Sequence, residues 1–364
     1  MTLPKSRRPA RIMSGLAAVS LALIATACSS GGSSSTASTG STSSSTADTG
    51  PVTMRLGYLT NLTNASALVG LHQGIFQKNL PSNVTLQTST YNAGPAAVTA
   101  LVSGSLDAAF MGPNSAITAY GQGTKSIRII SGATSGGAAF VVAPSITTAN
   151  QLKGKTVATP PLGNTQDVAL RTWLRQQGLT FPGPNGGSGD VTILPEDNST
   201  TLASFQAGTI AGAWVPEPWA TRLVAEGQGH VLVNEKTLWP KGQFSTTLLV
   251  VTASFLAAHP TVVTGLLKGQ LASTAYLLAN PVEAQTAANA ELAAQTGKPL
   301  KAPVLAAAWT DMTFTNDPIA SSIVTDLAHA KKAGFPTTNI VGIFDLGPIN
   351  SILKAQGKTA LVAS

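Results

Sequence analysis

The residues best suited to chemistry in this 364-residue chain gather in one short run, Gly208-Thr-Ile-Ala-Gly-Ala-Trp-Val-Pro-Glu-Pro-Trp-Ala-Thr-Arg222. Trp214 and Trp219 offer aromatic faces that suit an alkyl chain, a ring or a cation. Glu217 offers an acceptor for an ammonium or an amino-pyrimidine. Pro216 and Pro218 on either side of the acid withdraw backbone donors and fix φ, so neither a helix nor a central strand continues through it. The chain must turn here, and two readings stay open. The run is a ligand-pocket wall, or it is a strand end filling a core corner, with Glu217 paired to Arg222 or to backbone N–H groups.

About a hundred residues earlier stands a run of the same plan, Gly104-Ser-Leu-Asp-Ala-Ala-Phe-Met-Gly-Pro-Asn-Ser-Ala-Ile117. Each run follows an apolar helical stretch, Val98 to Val102 in one case and Leu202 to Phe205 in the other. The echo is too faint for a solenoid repeat; it implies two similar halves.

Composition excludes several classes. The hydrophobic fraction is 43% and the charged fraction 10%, so Ser, Thr, Asn, Gln and Gly must dress the surface. The formal charge is +7, but Lys5, Arg7, Arg8 and Arg11 supply four of those charges, and the chain after residue 27 carries +3 with no basic block. Nucleic acid is therefore not an expected partner. Residues 1–27 read as a signal peptide: a basic start, then an apolar run from Ile12 to Ala27, shorter than the roughly 20 residues of a spanning helix. Cys28, the single cysteine, follows in Ala25-Thr-Ala-Cys28, which resembles a bacterial lipobox with Ala25 where Leu is usual. Residues 28–50, almost all Ser, Thr, Gly and Ala, form a flexible tether. The body thus has no disulfide framework, no Cys-ligated zinc site and no cysteine nucleophile. His72, His230, His259 and His329 stand at no metal spacing, and no metal or cofactor is expected.

The elements that must position these residues follow from hydrophobic period. Val52 to Tyr58 and Val84 to Thr90 alternate as strands. Ala65 to His72 reads as a helix closed by Gly74, and Pro95 fits the first turn of a helix ending at Val102. Strands at Ser126–Ile130 and Ala138–Ala143 follow. A second unit runs through the strand ending at Thr159, a helix from Gly163 to Gly178 capped by Asn164 or Thr165, a strand at Val191–Leu194 and a helix at Ser199–Gln206. Ser245 to Thr252 is a β-rich return to the first unit, and from Phe255 onward the pattern is helical, with Leu266, Leu267, Leu271, Ile323 and Leu327 as core. The alternation predicts an α/β layer architecture.

The order of motifs resembles the substrate-binding proteins of bacterial ABC importers in the nitrate/sulfonate/taurine group, which also holds thiamine-pyrimidine binders. The residues are Leu56-Gly-Tyr58, Gly94-Pro95, Ala100 to Ala109, Leu152 to Ala158 and Trp214-Val-Pro-Glu-Pro-Trp219, and the resemblance covers most of 51–350. Where the family often has Asp, this chain has Ala211 or Gly212, whereas Asp107 is present in the first run and reads as a turn residue. The resemblance implies a two-lobed periplasmic-binding-protein fold of type II, lobe 1 being 51–144 with 246–364 and lobe 2 being 145–245, joined by crossover strands near 144–148 and 242–246. It implies an extracytoplasmic, lipid-anchored monomer at the cell membrane that captures a small organic anion, sulfonate or taurine-like, and hands it to an ABC permease and ATPase. Nitrate, bicarbonate and an aminopyrimidine are the rival solutes. Enzymes on this architecture rely on a cleft cysteine or histidine; here neither stands in place, so a binder and not an enzyme is expected.

Within that cleft, helix N-termini can hold an oxyanion without lysine or arginine. The starts at Gly94-Pro95, at Asn114 and Ser115 after Pro113, and at Asn164-Thr165 would face it. Asn61, Thr63, Asn64, Ser135 and Gly136 would complete the donors, while Trp214, Glu217 and Trp219 meet the rest of the ligand.

Overall fold

The structure, a computed structural model, describes residues 50–123 and 126–363; the expectations for 1–27, for Cys28 and for the tether lie outside the described residues. Period-2 patterning becomes strand where predicted. The first unit runs β1 (Val52–Leu59), α1 (Ala65–His72), α2 (Ile75–Asn79), β2 (Val84–Tyr91), α3 (Gly94–Val102), β3 (Ala108–Met111), α4 (Pro113–Gln122) and β4 (Ile127–Gly136). Pro95 and Pro113 both sit in a first helical turn, where a missing N–H removes no helical bond. The second unit runs β5 (Ala138–Val142), β6 (Thr156–Thr159), α5 (Thr165–Gln176), β7 (Thr192–Pro195), α6 (Asn198–Gln206), β8 (Gly212–Pro216), α7 (Trp219–Ala225) and β9 (His230–Asn234). The chain then returns through β10 (Ser245–Thr252) to α8 (Ala253–Ala258), α9 (Pro260–Ala279), α10 (Pro281–Thr296), α11 (Ala302–Thr310), a short β11 (Met312–Phe314), α12 (Ala320–Lys332) and α13 (Gly347–Ala355).

Two sheets result, in the orders β11-β4-β10-β3-β1-β2 and β7-β6-β8-β5-β9. Each contains three parallel strands from a βαβαβ run, flanked by an antiparallel strand that pairs with the last of them: β10 with β3, and β5 with β8. Alternation loads both faces. On β10, Leu249 and Val251 enter one core with α1 and α9, while Leu248 and Val250 enter the other with α3 and α4. The second sheet divides likewise, Phe140, Val142 and Trp214 lying toward α5, and Ala139, Val141, Ala213 and Val215 toward α6 and α7.

The echo seen in sequence is a repeated turn. After α3, the amide of Gly104 donates to Leu101 O (3.1 Å) and that of Ser105 to Ala100 O (2.8 Å); after α6, Gly208 donates to Phe205 O (3.0 Å) and Thr209 to Ser204 O (3.0 Å). Both glycines are left-handed, at φ +75 and +70, which is the helix stop that glycine adopts without a Cβ penalty.

The first passage between sheets corrects the expected position. It occurs at Gly136-Gly137, between β4 and β5, and Ala138–Val142 already pairs with β8 in the second sheet, so residues 138–144 leave the first unit. Pro144 reads as the punctuation in sequence, but the twin glycines, both at φ +77, make the turn. The return runs through 235–244 to β10.

Asp107 is a clamp as well as a turn residue. Its carboxylate accepts from Arg55 N (2.8 Å), Nε (2.9 Å) and Nη2 (2.6 Å), tying the entry of β3 to β1. Hydrogen bonds to a charged group contribute about 1.5–3 kcal/mol, so Asp107→Ala is expected to lower unfolding free energy by about 2 kcal/mol in urea titration.

Candidate functional site

Open α/β sheets present ligands beyond the carboxyl ends of their strands, and here all six parallel strands end at one small cavity of about 20 Å³. From the first sheet, Leu59, Asn61 and Thr63 arrive at the end of β1, Asn92 and Ala93 after β2, and Gly112 after β3. From the second, Pro160, Asn164, Thr165 and Gln166 follow β6, Asn198 follows β7, and Pro216 ends β8. Thr246 and Thr247, at the start of β10, complete the lining. None of these side chains is ionisable. Four of the residues stand at helix starts: Ala93, Gly112 and Asn164 are the N-caps of α3, α4 and α5, and Asn198 opens α6. Each such end carries unpaired N–H groups and about half a positive charge. The cavity is therefore electropositive without a cation.

Its donors are aimed by a chain of hydrogen bonds. Thr247 Oγ1 donates to Thr63 Oγ1 (3.1 Å), which donates to Asn61 Oδ1 (2.7 Å). Asn64 Nδ2 also donates to Asn61 Oδ1 (2.9 Å), and Asn64 Oδ1 accepts from Leu59 N (3.1 Å). With its oxygen doubly engaged, Asn61 is left with its amide N–H groups to offer. Thr134 Oγ1 fixes the same loop through Thr63 O (2.6 Å). Across the cavity, Asn164 Oδ1 caps α5 by accepting from Gln166 N (3.4 Å). Thr165 Oγ1 and Asn198 Oδ1 are buried and have no partner among the described residues.

Of the residues expected here, Asn61, Thr63, Asn164 and Thr165 line the cavity, and Asn64 braces it from behind. Gly94 stands in its wall against Ser115 and Asn164; Pro95, Asn114 and Ser115 line a neighbouring cavity instead. Ser135 and Gly136 serve the passage between sheets: Ser135 Oγ accepts from Phe244 N (3.2 Å), and Gly136 O accepts from Thr246 Oγ1. Neither faces the central cavity.

The aromatic and acidic triplet is corrected more fully. Trp214 is wholly buried in the second core, stacked on Phe140 at 5.6 Å, with Nε1 donating to Glu235 Oε2 (2.7 Å). Trp219 lines a third cavity, with the Arg222 guanidinium 4.8 Å from its ring centre. Glu217 does not pair with Arg222, whose partner is Glu226 (3.1 and 3.0 Å). Its carboxylate caps α7, accepting from Thr221 N (3.1 Å) and Thr221 Oγ1 (3.0 Å). Its backbone joins the two units: Glu217 N donates to Gly137 O (2.8 Å) and Glu217 O accepts from Leu62 N (3.0 Å). Asn92, Gly112, Gln166, Asn198, Thr246 and Thr247 were not foreseen. Applying the strand-end rule to β2 and β7 would have found Asn92 and Asn198.

The model of the NMT1-like family matches residues 47–295. The chain belongs to the NMT1-like family. Among curated proteins, the bicarbonate transport ATP-binding protein CmpC of Synechocystis is 28% identical over 243 residues, 62% of this chain and 35% of that protein. The chain thus spans about a third of the length of that relative. Among solved structures, the periplasmic nitrate-binding protein NrtA from Synechocystis shares the fold at TM-score 0.67, with 15% identity, covering 84% of this chain and 89% of that one. The alkanesulfonate-binding protein SsuA from Xanthomonas axonopodis pv. citri, bound to MOPS, does so at TM-score 0.64, with 18% identity, covering 78% and 92%. Two sheets linked at Gly136-Gly137 and through 235–244 are thus the two lobes of a periplasmic-binding-protein fold.

Two tests follow for this NMT1-like protein. A side chain at Gly112 would overlap Thr165 Oγ1, which belongs to the opposite lobe. Gly112→Val, at an ordinary extended backbone (φ −73, ψ 158), should therefore hold the lobes apart without unfolding either: small-angle scattering is expected to give a larger radius of gyration than the parent, with a similar Tm. Burial pushes the Glu217 carboxyl from 4.5 up to about 7, against the pull of its Thr221 bonds, and burial raises Glu235 likewise to about 7. An acid whose folded value lies above its unfolded one holds its proton longer in the folded state, so stability is full below about pH 4.5 and falls as pH rises toward 7. Glu217→Gln should accordingly gain stability relative to the parent between pH 5 and pH 8, read from denaturant midpoints at about those two values.

Proposed function

We propose that this protein is the extracytoplasmic solute-binding component of an ABC importer, held to the membrane through Cys28, and that its solute is a small organic sulfonate whose oxyanion group sits in the central cavity. The observation that carries this is the meeting of four helix starts and six strand ends around a cavity with no ionisable side chain. Such a site favours a single negative charge, because preoriented N–H groups replace water around it without a fixed cation. A solute that touches both lobes binds the closed form better than the open one, and that difference drives closure and presents the loaded protein to its permease. The names of the related CmpC, NrtA and SsuA proteins, all tied to transport or binding of small oxyanions, support the reading.

A second reading, bicarbonate, is favoured by two features. The central cavity holds only about 20 Å³, and Asn198 Oδ1 is a buried acceptor that a protonated oxyanion could meet with its own hydroxyl. The aminopyrimidine reading loses its residues, since Glu217 caps a helix and Trp214 fills a core.

Thermal unfolding with methanesulfonate, ethanesulfonate, nitrate and bicarbonate separates these. A solute at a hundred times its Kd adds about 2.7 kcal/mol, so the sulfonates are expected to raise Tm by several degrees. A shift with bicarbonate alone would select the second reading, and no shift with any of the four would remove the oxyanion site.

A further inference from the structure

Helix α12 packs against α4 of the first lobe and α5 of the second, and the chain leaving it crosses from one lobe to the other. Gly334, left-handed at φ +87, stops the helix, its amide donating to Lys331 O (3.1 Å) while Phe335 N donates to Ala330 O (3.0 Å). Further on, the chain is tied to the first lobe. Tyr120 Oη of α4 donates to Val341 O (2.7 Å), Ile129 N of β4 donates to Ile343 O (2.8 Å), and Ile343 enters the core shared with α4. Between these anchors the segment touches the second lobe. A methyl group at Gly163 would lie 3.7 Å from the Phe335 ring, and one at Gly334 would lie 3.3 Å from Pro184 Cδ. The Arg171 guanidinium stands 5.6 Å from the centre of the half-buried Phe335 ring, within cation–π range.

The surface that receives Phe335 is built within the second lobe. Arg171 of α5 is 2% exposed and Asp167 is fully buried. Arg171 Nε donates to Asp167 Oδ1 (2.9 Å) and Nη1 donates to Pro182 O (2.7 Å), which pins the 181–189 loop to the helix, and the Phe181 ring of that loop lies 5.8 Å from the same guanidinium. Asp167 in turn accepts from Gly163 N (2.9 Å) and Thr159 Oγ1 (3.2 Å). Those two residues lead from β6 into α5. The ion pair therefore fixes the helix start at which Asn164 and Thr165 line the central cavity, and a contact from the first lobe onto Arg171 bears on that start through two side chains.

We propose that Phe335 is a latch between the lobes: its ring on Arg171 favours their shut arrangement, with or without solute, and through Arg171 and Asp167 holds the start of α5 against the donors of the first lobe. Phe335 does not line the central cavity, so it is a positioning residue. A contact made only when the lobes are shut multiplies the closed population by one factor in the empty and in the loaded protein, and strengthens solute binding by up to the same factor. The latch depends on the two-lobed fold and not on which oxyanion is bound.

Small-angle scattering of the solute-free chain, with calorimetric titration of methanesulfonate, tests the latch on the parent, Phe335→Ala, Phe335→Tyr and Gly112→Val. The last supplies the radius of gyration of separated lobes. Phe335→Ala is expected to move the radius from the parent's toward that of Gly112→Val, and to weaken methanesulfonate binding about fivefold, as loss of one cation–π contact allows. Phe335→Tyr keeps a ring on Arg171 and should match the parent's radius and bind within about twofold of it. Adding Phe335→Ala to Gly112→Val should leave the radius where it is, since lobes already apart have no such contact to lose. A Phe335→Ala radius equal to the parent's, or a Phe335→Tyr that expands as far as Phe335→Ala, would overturn the latch. A parent that does not bind methanesulfonate removes the sulfonate reading alone, and the scattering comparison then decides the latch by itself.

Discussion

An anion moved from water into a cavity without a cation must find donors already aimed at it, because a side chain free to turn would surrender the gain in orientation entropy. On the oxyanion reading proposed above, that constraint accounts for how the central cavity is built. The donors of the central cavity are backbone N–H groups at helix starts, which cannot turn away, and side-chain amides whose oxygens are engaged: Asn61, whose Oδ1 accepts from Thr63 and Asn64, and Asn164, whose Oδ1 accepts from Gln166. The network reaches β4 through Thr134 and β10 through Thr247, the two strands of the first sheet that border the passages to the second. The lining of the central cavity and the geometry of the two lobes therefore share the same few hydrogen bonds.

Much of the architecture was legible in the sequence: β1 and β2 alternate, β5 and β10 are short runs rich in β-branched and apolar residues, α3, α4 and α5 begin with Pro or Asn, and left-handed glycines end α1, α3, α5 and α6. Helix starts were also the better guide to the central cavity, since a strand end followed by a capped helix has one place to point, and Asn164 and Thr165 line it.

Trp214 and Glu217 were harder for a physical reason. Both faces of β8 are covered by helices, so alternation separates Trp214 from Ala213 and Val215 without saying which side is solvent or ligand. Glu217 between two prolines looks the same whether its carboxylate meets a ligand or the first turn of its own helix. Local pattern does not distinguish them; only the placement of Thr221 does. Likewise Gly136-Gly137 carries little hydrophobic signal, and its role shows only when β4 and β5 are seen to belong to different sheets.

The Arg55–Asp107 clamp has a counterpart that lacks it. In the first lobe Asp107 N donates to Arg55 O (2.9 Å) alongside the carboxylate contacts; in the second, Ala211 N donates to Thr156 O (2.7 Å), and no carboxylate is there to join it. The backbone bond survives in both and the turn forms in both. The glycine stop and one main-chain bond are thus enough to make this turn, and the ion pair adds its stabilisation to the first lobe alone.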